Sequence, residues 1–277
     1  MPKLQRTDQL KANFATILGY GPARGGKTRS VEEMHKQGLS PVIVATELGE
    51  TSGLLSLSSS PIPFIKVTSH QETMEVLAEL KKKPGKVEYE QTEFGAVVLD
   101  SITQWGEWPL ERYVELKGWE DLHGLAERGG GKDPRTAYAF LAEKGRGLYK
   151  ELFSLHAHLY IIAREGIFGE KETGFFHAPE LPGQKLPREI PGWPDATVRL
   201  RVITGEYRMI TKGEGATPAG IRLPSGFPDL PSRCYNNIPA LIRYMCGDQS
   251  AHSLLAPPTI REKREVGKTT TPALARG

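Results

Sequence analysis

Cysteine is scarce in this chain. The two that occur, Cys234 and Cys246, are too few and too widely spaced for a zinc knuckle or a disulfide framework, so both are read as buried thiols. Long apolar runs are missing as well: no window approaches the ~20 apolar residues that a membrane helix needs. The stretch 1–11 is polar and leads to no small-residue cleavage site, so no secretory signal is evident and the expectation is a cytoplasmic protein. Net charge is also small. The 36 basic and 33 acidic residues leave +3, and 261–277 supplies all of it, with Arg261, Lys263, Arg264, Lys268 and Arg276 against Glu262 and Glu265. The rest is formally neutral, so bulk charge does not demand a nucleic-acid partner, and any such site must be a local patch or loop. No internal repeat is present.

What is present alternates between strand and helix signals. Apolar runs over 15–21, 42–46, 64–67, 96–99 and 159–163 read as buried strands. Helical patterns fill 27–37, with Gly38 as stop, and 69–83, where Ser69 and Glu72 form a capping box and Met74, Leu77 and Leu80 a stripe. Further helical signals cover 103–117, 136–156 and a short stretch after Asn237. Two antiparallel strands, 196–203 and 207–211, meet at Thr204-Gly205-Glu206. The alternation predicts an α/β fold with a mainly parallel sheet, helices on both faces and a late antiparallel hairpin. The domain is placed at 12–246, between an extension at 1–11 and a flexible basic tail at 247–277. The segment 165–192, with five glycines and four prolines in 28 residues, reads as a long functional loop.

Gly21-Pro22-Ala23-Arg24-Gly25-Gly26-Lys27-Thr28 matches the P-loop pattern of two glycines four residues apart followed by Lys and Thr. Such glycines let backbone N–H groups curl around phosphate oxygens at a helix N-terminus. Lys27 then reaches the β- and γ-phosphates and the Thr28 hydroxyl ligates Mg2+. Arg29, next in the helix, joins this set. Asp100 ends an apolar strand where a Walker B acid would hold the metal, and Ser101 either touches the γ-phosphate or caps the next helix. Glu47 ends the strand after the P-loop helix, so a parallel sheet delivers it to the same edge as Lys27 and Asp100, as a base for water. Glu50 competes for that role. Arg164, at the end of the next core strand, either senses the γ-phosphate or pairs with an acid. His156, His158 and His177 are read as structural histidines rather than a metal set.

This order of motifs, from 21–28 through Glu47, Val97-Val98-Leu99-Asp100-Ser101 and Ile161-Ile162-Ala163-Arg164, resembles the RecA-type recombinase core. More narrowly it resembles the short phage-encoded RecA-core ATPases of single-strand annealing and recombination, over about residues 12–245. The resemblance implies ATP and Mg2+ as ligands. It also implies single-stranded DNA, a homo-oligomeric ring or filament and a single-strand-binding protein as partners, in the cytoplasm of a bacterial host. It assigns water activation to Glu47 and sensing to Arg164. It places DNA against Arg128, Lys132 and Arg135 around Gly129-Gly130-Gly131, and against the 165–192 loop with Phe168, Phe175 and Phe176. Arg208 and Lys212 are the candidates for contacting a neighbour's ATP, although Lys212-Gly213-Glu214 departs from the Lys-x-Arg pattern of related rings.

Two features keep other readings open. The 165–192 segment is net acidic, with Lys171, Lys185 and Arg188 against Glu165, Glu170, Glu172, Glu180 and Glu189, so a flap over the nucleotide competes with a DNA loop. A small-molecule kinase would use the same P-loop, yet no Arg-rich lid element is evident; a non-hydrolysing scaffold or packaging accessory protein is the third possibility. A GTP switch is excluded, because the chain has no Asn-Lys-x-Asp motif.

Overall fold

In the computed structural model, residues 13–47, 57, 60–83, 86–119, 133–170 and 174–256 are described. The chain enters through β1 (Thr16–Gly21), turns at the glycine-rich loop into α1 (Lys27–Lys36), and returns in β2 (Pro41–Ala45). β3 (Phe64–Lys66) and α2 (His70–Leu80) follow, then a small separate hairpin, β4 (Val87–Tyr89) with β5 (Thr92–Phe94). Next come β6 (Ala96–Asp100), α3 (Ile102–Leu116), α4 (Pro134–Phe153), β7 (His158–Glu170) and β8 (Gly174–Pro179). The last part holds α5 (Leu186–Glu189), β9 (Ala196–Ile203), β10 (Glu206–Ile210), β11 (Gly220–Ile221), β12 (Arg233–Tyr235), α6 (Ile238–Met245) and α7 (His252–Leu255).

The main sheet runs β12-β10-β9-β1-β7-β6-β2-β3. From β9 to β3 the neighbours are parallel, whereas β10 and β12 add on antiparallel. The expected α/β architecture with its late hairpin is therefore the observed one. Alternate residues of each central strand feed opposite cores, the period-2 consequence of the pleat. Leu18, Val97, Leu99 and Ile161 pack with α2, α3 and α4, while Ile17, Val98 and Ile162 pack with Val31 and Met34 of α1 and with α6. Strands buried on both faces must be apolar throughout, and that is why they were readable as continuous Val/Ile/Leu runs.

Local signals held where local chemistry decides. Ser69 caps α2 by accepting from the Glu72 N–H, but the Glu72 carboxylate reaches one residue further back than a capping box predicts, to the N–H and hydroxyl of Thr68. The β4–β5 turn, Glu90-Gln91, has positive φ at both residues, the type I′ geometry that right-handed strand twist selects. Neither residue is the usual Asn or Gly, so no turn signal announced it.

Three expectations are corrected. The 165–192 segment is not a loop: β7 continues past Arg164 to Glu170 and pairs antiparallel with β8, and α5 and a 3-10 turn, Ile190–Gly192, follow. Glycine there serves the hairpin rather than flexibility. Gly169 has φ +106°, and a Cβ on it would run into the Gly174 carbonyl. Residues 248–256 are folded rather than part of a flexible tail, the rest of which, 257–277, lies outside the described residues: Asp248 caps a 3-10 turn, Gln249–Ala251, that runs into α7, and Ala251 and Leu255 are buried against α6. Of the two thiols, Cys234 is buried but Cys246 is only half-buried. Among the described residues no helix is long and apolar enough to cross a membrane.

Candidate nucleotide site

The site is assembled at the C-terminal edge of the parallel strands. β7 lies between β1 and β6, and their register sets Gly21 opposite Arg164 and Asp100 opposite Ile162. β2 pairs with β6 so that Ala45 stands beside Asp100, with Glu47 just past the strand end. The ends of β1, β2 and β6, and the point where β7 leaves its parallel neighbours, thus deliver Lys27, Glu47, Asp100 and Arg164 to one rim, the outcome expected where parallel strands share a direction.

The loop 21–28 is wrapped tightly against its neighbours. Gly26 caps α1 with φ +94°, a left-handed backbone that suits glycine, and a Cβ there would come within 2.6 Å of the Tyr207 ring. Lys27 folds back over the loop and donates from Nζ to the carbonyls of Gly21 and Pro22, both at 2.8 Å. Burial pulls its pKa down, and Asp100 and Glu47 oppose that fall. Pro22, Ala23 and Arg24 are exposed at the rim, and Gly25 is buried.

Two carboxylates sit near one another here. Burial and the neighbouring Glu47 carboxylate raise Asp100 to about 6, while Lys27 and a hydrogen bond from Thr28 pull it the other way. Glu47, about half exposed, accepts a 2.9 Å hydrogen bond from the Ser101 hydroxyl. Ser101 also caps α3 by accepting from the Gln104 N–H at 3.5 Å. Of the two readings of Ser101 the cap is the one observed, and the same hydroxyl also donates to Glu47. Arg164 pairs with Glu180 at 3.3 Å and stands 4.0 Å from Glu47.

The other predicted residues scatter. Arg29 lies over the Tyr207 ring, 5.0 Å from its centroid. Arg208 pairs with Glu206 and covers the Tyr235 ring, and Lys212 pairs with Asp229, so both bind within the chain. Arg135 is exposed at the start of α4, whereas Arg128, Lys132 and Glu50 lie outside the described residues. The three phenylalanines do not form one platform. Phe168 and Phe176 face each other across the hairpin and stack at 5.9 Å, with Arg188 over Phe176, while Phe175 is offset by one residue onto the other face and is 69% exposed. His158 accepts the Ala15 N–H on Nδ1, His177 lies beside Glu165, and no cluster among the described residues has the makings of a metal site of three or more His, Cys, Asp or Glu.

Several residues of the site carried no sequence signal. Thr46, fully buried, exchanges hydrogen bonds with the Ser101 backbone at 2.6 and 2.7 Å and so locks the end of β6. The Thr103 hydroxyl accepts from the Arg164 N–H at 2.9 Å. Glu165 and Arg199, both buried, form an ion pair next to the loop. Threonines and surface-type charges of this kind are common, and only their partners mark them out.

These residues fit a triphosphate and a divalent cation. A cation beside Thr28 and Asp100 would offset the burial and the Glu47 charge that raise the Asp100 pKa, and phosphate oxygens would replace the carbonyls that now occupy Lys27. A search of curated proteins gives no match. The AAA_24 family, described as an AAA domain, matches residues 13–223, from just before β1 to just past β11. With the match spanning most of the chain and the loop and strand-end acid lying inside it, the protein belongs to the AAA_24 family of AAA-type P-loop ATPases.

Proposed function

We propose that this protein binds ATP with Mg2+, hydrolyses it, and couples the hydrolysis to single-stranded DNA in phage recombination, annealing or replication. The observation that carries the hydrolytic part is the position of Glu47. Its carboxylate is accessible to water, oriented by the Ser101 hydroxyl, and on the same rim as Lys27 and Asp100. In that arrangement Lys27 meets the β- and γ-phosphates, Thr28 and Asp100 hold the cation, and Glu47 takes the proton of the attacking water. Mg2+, when bound, neutralises charge on the phosphate oxygens. Arg164 supplies a positive charge beside the γ-phosphate, released from or shared with Glu180.

The DNA part is supported by the resemblance to RecA-core annealing ATPases and by the β7–β8 hairpin, which leaves Ile167 and Phe175 exposed directly after Arg164. Base stacking suits such a surface better than phosphate binding. The deciding measurement is ATP turnover with and without single-stranded DNA. Turnover that rises on adding DNA and vanishes in Lys27→Ala is the expected result. Phosphoryl transfer to a small molecule would favour a kinase, and ATP binding without turnover would favour a scaffold.

A further inference from the structure

Tyr207 is a large aromatic residue of β10 that remains 36% exposed, although its neighbours Met209 and Ile210 are buried. Its ring lies against the backbone of Gly26, the residue before Lys27, so close that a methyl group on Gly26 would collide with it. Its position is held from both sides. The Asn236 N–H donates to the Tyr207 carbonyl at 3.2 Å. The Asn236 side chain donates to the Gly26 carbonyl at 3.2 Å and accepts the Ser30 hydroxyl at 3.1 Å. A face of the ring is covered by the guanidinium of Arg29, one residue after Thr28 in the first turn of α1.

We infer that Tyr207 and Arg29 form the shelf that takes the base of the bound nucleotide, held by stacking. The inference rests on reading 21–28 as the phosphate site. A phosphate chain gripped there, with its γ end toward Lys27, would leave past the first turn of α1, where Arg29 lies over the Tyr207 ring. The guanidinium is 5.0 Å from the ring centroid, whereas a base between the two needs about 7 Å, two stacking layers. Arg29 therefore swings outward and covers the outer face of the base, exchanging one planar cation–π contact for another. Both ends of the Asn236 amide are already engaged, so the shelf binds by surface rather than by reading the edge of the base.

The test compares ATP with inorganic tripolyphosphate, each with Mg2+, by calorimetry on the wild type and on Tyr207→Ala, Tyr207→Phe and Lys27→Ala. Tyr207→Ala is expected to weaken ATP about 10- to 100-fold, the range of one lost stacking contact, and to leave tripolyphosphate unchanged. Tyr207→Phe should bind ATP within about twofold of wild type, because the ring face is kept. Equal losses for ATP and tripolyphosphate in Tyr207→Ala would show that the ring only props the loop, and would overturn the shelf. So would wild-type ATP affinity in Tyr207→Ala alongside lost affinity in Lys27→Ala, an outcome that leaves the phosphate site standing. A wild type that binds neither ligand overturns the phosphate site and the shelf with it.

Discussion

At the scale of single residues, Asp100 stands between two demands. A carboxylate is needed to hold a cation, yet burial and Glu47 raise its pKa to about 6, above the ~3.9 of an unfolded chain. The folded state then binds the proton more tightly than the unfolded one, so this group's contribution to stability is full below about pH 4. It declines as pH rises through about 6 and stays lost above that, by ~3 kcal/mol for a shift of about two units. Asp100→Asn should therefore make the ligand-free protein more stable than wild type at pH 8 and not at pH 4, while removing Mg2+-dependent nucleotide binding. Urea melts at the two pH values check this, and equal stability at pH 8 would count against the buried, charged Asp100. Glu47 is tested differently. Glu47→Gln keeps the shape that accepts the Ser101 hydroxyl but takes no proton, so ATP affinity should persist within about threefold while turnover falls about 100-fold or more. If Glu50→Gln has that phenotype and Glu47→Gln does not, the base is misassigned.

At the scale of elements, the β7–β8 hairpin turns a charge objection into a structural statement. The acids of this segment outnumber its bases, but Glu165 is paired with Arg199, Glu180 with Arg164, and Glu189 with Arg146 and Lys185. The charge of these three acids is met within the fold. The phenylalanines separate by face, and their variants should separate too. Phe175→Ala removes an exposed ring and should weaken single-stranded DNA binding by ~1–3 kcal/mol with an unchanged melt. Phe168→Ala removes half of the stacked pair and should lower the melting temperature. DNA binding unaffected by Phe175→Ala, with weakened ATP binding instead, would make the hairpin a nucleotide flap. Arg135→Ala should lower the salt slope of DNA binding by ~0.7 if that residue meets a phosphate.

At the scale of the whole molecule, the sheet is tied together next to the P-loop by a buried ion pair. Glu165 on β7 and Arg199 on β9 meet across β1, and both are almost fully enclosed. Removing one partner leaves an uncompensated charge in a dry site, so Glu165→Ala should cost ~3–5 kcal/mol of folding free energy, readable as a large fall in the urea midpoint. A midpoint within error of wild type would mean that water reaches Arg199 freely.

The phosphate loop, the buried parallel strands and the acids and arginine at their ends were legible because each is written in contiguous residues. A glycine turn, an all-apolar run and the polar residue that ends it depend on local backbone physics. The sequence by itself therefore determined the α/β class and the rim of the site: Lys27, Thr28, Glu47, Asp100 and Arg164. It did not determine that β7 stands between β1 and β6, that Glu180 holds Arg164, that β7 and β8 pair as a hairpin, or that Tyr207 lies against Gly26 and Asn236 holds its carbonyl. The Asn236 contact joins residues 210 positions apart in the chain. A Tyr or Asn there has many possible environments and no neighbouring residue that selects one; only the packing of β10 and β12 beside the loop decided it, since the free energy of such contacts exists only once the sheet has closed.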